Sequence, residues 1–293
     1  MTDQNALFPG KHFISTVIDA LDTKSTMSGG LARVYLMRAG MAGVIIGVMY
    51  LTYYAVLSAF SEAGGDAWSG IGRMVGGLVF GVALVFIHYS RSELLTSNMM
   101  IVSIGGYYRR TTPWRALRIL VLCYAGNIIG GLAVALLVFG STLGDGSVGA
   151  QMEAGVDHKL EYVAGGVAGW SDLFVRAVFC NFMINLAILL VYNGRINDDV
   201  TKSFVMIMSV FVFAFVGFEH SVANSVLFGI VGFQGGIDLG AALAQLGIVL
   251  LGNFVGGGVL IGLYYAYAND DRKYQRRLTE RERTAGGATE DTP

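Results

Sequence analysis

Hydrophobic residues fill six long regions of the chain, with shorter polar links between most of them. The regions cover about 38–60, 70–106, 116–140, 173–193, 203–233 and 239–268. Each approaches or exceeds the roughly 20 apolar residues that a helix needs to cross a bilayer. The pattern therefore predicts an all-α membrane protein with six transmembrane helices.

Two of the six regions are too long for one straight helix. A continuous helix over 70–106 would run about 55 Å, against a hydrocarbon core of about 30 Å. Each long region also contains a polar stretch, "SELLTSNMM" from Ser92 and "GFEHSVAN" from Gly217. We therefore predict that the second and fifth helices are broken at these stretches.

The two polar stretches belong to an internal repeat. In each, a glutamate is followed five residues later by an asparagine, and 34 residues later by the asparagine of a second motif, "GNIIGG" or "GNFVGGG". The repeated loop residues are Glu93, Asn98, Glu219 and Asn224. The shared offset is 126 residues and spans three helices, an odd number, so the second half must enter the membrane from the opposite side. The sequence predicts two inverted three-helix repeats, about 31–140 and 170–268, an aquaporin-like plan typical of transporters and channels.

The broken helices also predict where an anion could be held. We expect a short half-helix over about 98–106, capped by Ser97 or Asn98, and another over about 224–233, capped by Asn224. If their positive ends converge near the bilayer midplane, the free N–H groups favour an anion or a hydrogen-bond acceptor there.

Composition and charge narrow the class further. Apolar side chains make up 54% of the 293 residues and charged ones only 14%, with a mean hydropathy of +0.58. No basic aromatic platform for nucleic acid is present. The four histidines lack metal-ligand spacing, the two cysteines lie inside predicted helices, and Ser221 adjoins His220 too closely to serve as its nucleophile. We expect no metal, no cofactor, no nucleic acid and no enzyme.

Basic residues set the expected orientation and the domain boundaries. Four arginines between 109 and 118 follow the second helix and six basic residues between 272 and 283 follow the sixth, whereas the link after the third helix is acidic. Both termini are therefore expected in the cytoplasm. We expect residues 1–30 to form a cytoplasmic segment whose helix, bearing Ile14, Val17, Ile18 and Leu21, lies at the membrane interface or is a solvated tail helix. Residues 31–268 are expected to form the transmembrane domain, and residues 269–293 a basic cytoplasmic tail.

A few polar residues inside or near the helices are candidates for function. Glu93 and Glu219 hold equivalent places and are expected to pin the loops, because a buried carboxylate needs partners. His220 has no counterpart, since Leu94 holds its place, and it could donate a hydrogen bond or a proton. Thr96 could face His220 or bond its own backbone. Lys159 could draw anions to the entrance or be a solvated charge.

These motifs, with "CNFMINLA" from Cys180, resemble the formate/nitrite transporter family of pentameric, aquaporin-like channels for small monovalent anions. The resemblance covers about 30–268 and implies that His220 and Thr96 lie in the pore, with Lys159 in a vestibule and Asn181 on the pathway. It also implies an outer constriction at Phe80 and Phe213 and an inner one at Leu84 and Leu94. The homopentamer rests on the resemblance alone, and crosslinking that gave only dimers would contradict it.

The expected function is a pH-dependent channel or transporter for weak-acid anions in the cell inner membrane. Formate is the first candidate substrate, with nitrite, hydrosulfide, acetate and lactate as further candidates, together with protons. Two other classes stay open: a neutral-solute pore of aquaporin type, and a membrane sensor without flux. The lipid bilayer and four further copies of the chain are the expected partners.

Overall fold

The computed structural model describes residues 7–287, so residues 1–6 and 288–293 of the predicted terminal segments lie outside the described residues. Within that range the regular elements are all helical. The first half contains α1 Lys11–Gly30, α2 Ala32–Gly64, α3 Asp66–Tyr89, α4 Leu95–Tyr107, α5 Pro113–Phe139 and α6 Gly146–Ala164. The second half contains α7 Gly166–Tyr192, α8 Asp199–Val216, α9 Ser221–Gln234, α10 Leu239–Asn253, a π-helical segment Phe254–Leu263, α11 Tyr264–Ala268 and α12 Arg272–Gly287.

Six helical stretches are long and apolar enough to cross a membrane. They are Ala32–Gly64, Ala67–Tyr89, Pro113–Phe139, Gly166–Tyr192, Asp199–Val216 and Leu239–Ala268. The last stretch joins α10, the π-helical segment and α11 end to end. The prediction of an all-helical protein with six membrane-crossing helices is confirmed.

Both overlong regions are broken, as predicted. Residues 90–94 separate α3 from the short helix α4, and residues 217–220 separate α8 from the short helix α9. The predicted starts at 98 and 224 are wrong, because the short helices begin three residues earlier, at Leu95 and Ser221.

The short helices begin earlier than predicted because asparagines far along the chain cap them. The first N–H group of each short helix donates 3.0 Å to an asparagine side chain, Leu95 to Asn127 Oδ1 and Ser221 to Asn253 Oδ1. The predicted caps are therefore wrong: Asn98 lies inside α4 and instead donates to a carboxylate. The positive end of each short helix is also already partly used by protein, which corrects the expectation of free N–H groups.

Glycines let the helices that carry these asparagines approach their neighbours. A methyl group on Gly130 would lie 1.9 Å from the carbonyl oxygen of Gly40, and one on Gly256 would lie 2.0 Å from that of Val178. Only glycine fits at either crossing. The prediction that glycines mark close packing is confirmed at these positions, which bring Asn127 and Asn253 against the two breaks.

Helix α1 packs on the protein, while its place at the membrane interface stays a prediction. Phe13, Val17 and Leu21 are at most 1% exposed, and α1 contacts α2, α4, α5 and α7. Its apolar face therefore has a protein partner and needs no lipid.

A terminal clasp, formed by residues 10–11 and 269–272, holds α1 to the end of the last transmembrane helix. The Gly10 N–H group donates 2.7 Å to Asn269 Oδ1, and Lys11 pairs with Asp271. Asp270 accepts from Arg272 at 2.6 Å and from the Tyr107 hydroxyl at 3.0 Å. The clasp thus joins both terminal segments to the far end of α4.

Helix α6 occupies the acidic link after the third transmembrane helix, where the sequence analysis predicted no element. Its buried residues are Gly149, Met152, Val156 and Lys159, spaced three, four and three apart along one face. That spacing is the signal that could have predicted the helix. Helix α6 contacts α2, α7, α9 and α10 and so carries Lys159 into the protein.

Candidate functional site

Three cavities follow one another through the helical bundle. The α6 vestibule, lined by Lys159, has a volume of about 420 Å³, and the α1 vestibule, lined by Lys24, has about 640 Å³. Between them a chamber of about 20 Å³, lined by His220, has apolar walls. The three cavities define a continuous line with one narrow, dry section.

The four predicted constriction residues form the partitions between these cavities. Phe80 and Phe213 line both the α6 vestibule and the chamber, and their rings meet edge to face with centroids 6.1 Å apart. Leu84 and Leu94 line both the chamber and the α1 vestibule. All four side chains are at most 5% exposed, so each partition excludes water.

Other apolar chamber residues escaped the sequence analysis. Ala83 and Ile87 of α3 line the chamber, and Ile87 also lines the α1 vestibule. Ile46, Ile184 and Val210 complete the chamber wall. Ile87 follows Leu84 by three residues and shares its helix face, which is a signal that could have found it. The remaining three sit on separate helices among many similar residues, so no local pattern distinguishes them.

Thr96 and His220 lie together at the chamber, one from each break. The distance from Thr96 Oγ1 to His220 Nε2 is 3.3 Å, and both residues are buried. His220 lines the chamber, whereas Thr96 lies behind it and lines none of the three cavities. Of the two alternatives for Thr96, the structure shows the one that faces His220.

A backbone hydrogen bond fixes which ring nitrogen of His220 carries the proton. The Ala223 N–H group donates 3.1 Å to His220 Nδ1, so His220 caps helix α9 through that nitrogen. Because Nδ1 accepts, the proton of the neutral ring is assigned to Nε2. The Nε2–H group then donates to Thr96 Oγ1. A second proton on Nδ1 would break the cap.

Asn181 lines none of the three cavities, and its place on the pathway stays a prediction. Its Nδ2 group donates 3.1 Å to the Thr96 carbonyl and 2.7 Å to the Asn253 carbonyl, and its Oδ1 accepts from Asn185 Nδ2 at 2.7 Å. The side chain is fully buried and its hydrogen-bonding groups are occupied. Asn181 therefore holds Thr96 in place from behind.

Lys159 is buried rather than solvated, while its role in drawing anions to the entrance stays a prediction. It is 8% exposed, and its ammonium group donates to both carboxylate oxygens of Glu219, at 2.8 and 2.9 Å. Asn224 at 2.6 Å and Gln245 at 3.2 Å also donate to Glu219. The buried charges compensate each other at the edge of the α6 vestibule.

The first break has a matching arrangement. Lys24 of α1 forms an ion pair with Glu93, and Asn98 Nδ2 donates 3.3 Å to the same carboxylate and 2.9 Å to the Tyr35 hydroxyl. The sequence analysis missed Lys24 as a partner. Its distance along the chain from Glu93 is 69 residues, whereas Lys159 precedes Glu219 by 60, so the repeat gives no signal.

The backbone at the two breaks is also held alike. Asn127 Nδ2 donates 2.8 Å to the Glu93 carbonyl, and Asn253 Nδ2 donates 2.9 Å to the Glu219 carbonyl. These asparagines are the two that cap the short helices. The contacts correspond at the offset of 126 residues found in the sequence, while the inverted orientation of the two halves stays a prediction.

Cations outnumber acids in both vestibules. The α6 vestibule is lined by the cations Arg73, Lys159 and Arg176, against Glu219. The α1 vestibule is lined by Lys24, Arg38, Arg91 and Lys202, against Asp19, Glu93 and Asp199. A cavity whose charges are mainly positive raises the local concentration of anions.

The fold and the site together define a helical membrane protein with two cation-rich vestibules separated by an apolar chamber. The formate/nitrite transporter family matches the chain over residues 11–267. The chain belongs to the formate/nitrite transporter family and is a multi-pass membrane protein.

Individual relatives agree with this assignment. The formate channel FocA of Haemophilus influenzae is 29% identical over 251 residues, which cover 77% of this chain and 83% of that protein. A solved FNT family ion channel superposes with a TM-score of 0.76 at 24% identity, covering 88% of this chain and 99% of the other. A pentameric formate channel with formate bound has a TM-score of 0.64, also at 24% identity, covering 80% and 96%. These two structures support the fold.

Proposed function

We propose that this protein is a channel or transporter for small monovalent weak-acid anions, with formate as the first candidate substrate. Nitrite and hydrosulfide are the alternatives within the same family, and the chain is not an enzyme. The carrying observation is the contact between Thr96 and His220 in an apolar chamber that joins two cation-rich vestibules.

The barrier that the chamber presents is the first step of the argument. The cations of a vestibule concentrate an anion at the apolar partition. A bare anion crosses an apolar, water-free section only at a large cost in free energy. The neutral weak acid avoids that cost, so flux is expected to rise as pH falls and the protonated fraction increases.

His220 supplies a hydrogen bond in the dry section. Its neutral ring carries the proton on Nε2, where the passing acid or anion can replace Thr96 Oγ1 as acceptor. Giving up that proton from a neutral ring is too unfavourable, and the second proton would cost the cap on α9. Hydrogen bonding by His220 is therefore favoured over proton donation, and the proton comes from water in the vestibule.

The size of the chamber restricts the substrate. A volume of about 20 Å³ is close to the minimum of about 10–15 Å³ that accommodates one water molecule. Formate, nitrite and hydrosulfide require little displacement of the wall. Every solute must displace the partitions at Phe80 and Phe213 and at Leu84 and Leu94. The larger acetate and lactate must displace them further, so they should pass more slowly.

The same proposal includes orientation and assembly. The basic residues after the second and sixth helices support cytoplasmic termini in the inner membrane, which makes the α1 vestibule the cytoplasmic one. The matched contacts at the two breaks support inverted repeats. A homopentamer is proposed by likeness to the pentameric neighbour.

Two substitutions of His220 test the proposal in liposomes. His220→Phe removes the Nε2–H group and the cap, and formate uptake should fall by about tenfold or more, on the order of one buried hydrogen bond. His220→Asn keeps a helix cap and an amide donor, and it should retain uptake that rises as pH falls.

His12→Phe is the control, since His12 is exposed and lines none of the three cavities. Undiminished pH-dependent uptake by His220→Phe would contradict the proposed role. Loss of pH dependence in His220→Asn alone would instead favour proton donation by the ring.

A further inference from the structure

Arg91 has a backbone conformation that side chains rarely adopt. It lies in the first break, two residues before Glu93, with φ of +57°. The residue two before Glu219 in the second break is Gly217, also left-handed, with φ of +82°. The turn thus needs a residue in the left-handed conformation in both halves, and glycine adopts this conformation without strain. An arginine there is unfavourable for the backbone, which points to a use for its side chain.

The side chain of Arg91 is exposed and lines the α1 vestibule. No hydrogen bond or ion pair holds its guanidinium group among residues 7–287. Arg91 is also only three residues before Leu94, which forms part of the partition to the chamber. Its charge is therefore available beside the narrow section of the pathway.

The other charges of the α1 vestibule are largely compensated. Lys24 pairs with Glu93, and Lys202 lies 3.5 Å from Asp199. Two further charged residues line the cavity without an ion pair in the described residues. They are Arg38, whose guanidinium group contacts the Met27 sulfur at 3.4 Å, and Asp19. His88 also lines the wall. Among these groups Arg38 and Arg91 are the cations without an acid partner in the described residues, and Arg91 is the one of the two that lies three residues before Leu94.

We propose that Arg91 captures the permeant anion on the α1 side and delivers it to the partition at Leu84 and Leu94. This inference rests on the proposed function and adds a specificity-determining residue to it. In the second break the same place is a glycine, and the guanidinium group that lies against it belongs to Arg176, which is paired with Asp172. An unpaired arginine at this turn is therefore a feature of the α1 face.

The test is the half-saturating formate concentration measured separately from each face. Right-side-out and inside-out membrane vesicles present opposite vestibules, and trypsin digestion of the basic helix α12 reports which face is outside. For Arg91→Gly we expect the half-saturating concentration on the α1 face to rise about two- to fivefold, as for loss of one screened charge. The value on the α6 face should stay unchanged.

Two variants separate charge from fold. Arg91→Lys keeps the charge and should stay close to wild type. Arg109→Gly is the matched control, because Arg109 has the same φ of +57° and is exposed but lines none of the three cavities. Arg91→Gly relieves the left-handed strain, so its melting temperature should not fall. The difference from wild type should shrink at high salt.

Three results would overturn the inference: an unchanged value on the α1 face, an equal rise on both faces, or the same rise in Arg109→Gly. If wild-type vesicles pass formate normally, each of these three results would contradict the role of Arg91 without contradicting the proposed function. Wild-type vesicles that pass neither formate nor nitrite would overturn the proposed function and this inference together.

Discussion

At the scale of single residues, His220 and Leu94 occupy equivalent positions in the two halves of the chain but have different roles. Both stand immediately before a short helix and both line the chamber. His220 caps its helix with its own side chain, whereas Leu94 adds apolar surface to a partition. The sequence predicted the asymmetry, but it did not predict the tautomer, which depends on the Ala223 N–H group.

Asn181 shows the limit of residue-level prediction. An asparagine inside an apolar helix predicts a polar contact, but not its partner. Here the partners are carbonyl groups of Thr96 and Asn253, which are 85 and 72 residues away along the chain. Local patterns contain no information on such distant contacts, so the sequence could not predict that Asn181 holds Thr96 in place.

A glycine pair gives a residue-scale prediction for stability. In Gly256→Ala the new methyl group would lie 2.0 Å from the Val178 carbonyl oxygen, and overpacking should cost about 1–3 kcal/mol. In Gly247→Ala, inside α10, the methyl group meets nothing within 4 Å and should stabilise by about 0.5–1 kcal/mol. Thermal unfolding in detergent measures both. A Gly256→Ala protein as stable as wild type would contradict the close crossing.

At the scale of elements, the length of two hydrophobic regions predicted the breaks in the second and fifth helices, whereas the charge pattern did not predict α6. Helices over 70–106 and 203–233 could not both be straight and fit a bilayer, so the interruptions followed from length alone. The starts of α4 and α9 depend on caps from Asn127 and Asn253, 32 residues later in each half. Element boundaries set by distant residues are not readable locally.

The terminal clasp gives an element-scale prediction about pH. Hydrogen bonds from the Arg272 guanidinium hold the pKa of Asp270 at about 2, below its ordinary value. A lowered pKa in the folded state means that the contribution of Asp270 is present above the unfolded value of about 3.9 and is lost as pH falls toward 2. The protection of the backbone N–H groups of residues 269–272 from hydrogen exchange should therefore stay constant from pH 8 to pH 5, where Asp270 stays ionised. It should fall below about pH 4.

The matched variant is Asp270→Asn, which removes the charge. It should lower protection relative to wild type between pH 5 and pH 8, and the difference should shrink below about pH 4, where the wild-type carboxylate begins to be protonated. Loosening of the wild-type clasp between pH 7 and pH 5 would contradict the prediction. In that case another titrating group would have to control the docking of α1.

At the scale of the whole molecule, the pathway exists only because elements from both halves meet. Phe80 of α3 faces Phe213 of α8, and Thr96 of α4 meets His220 of α9. The sequence predicted these partners chiefly through the family resemblance. The ion pairs of the two vestibules could not be predicted, since Lys24 and Lys159 reach their glutamates from helices outside the repeat motifs.

The most direct test of the central claim is a side-by-side flux measurement in liposomes with formate, nitrite, hydrosulfide and glycerol. An anion pathway with an apolar chamber predicts rapid formate uptake that increases as pH falls, comparable or slower uptake of nitrite and hydrosulfide, and no glycerol uptake above protein-free liposomes. Glycerol uptake equal to that of formate would indicate a neutral-solute pore. No protein-dependent uptake of any of the four would contradict the account altogether.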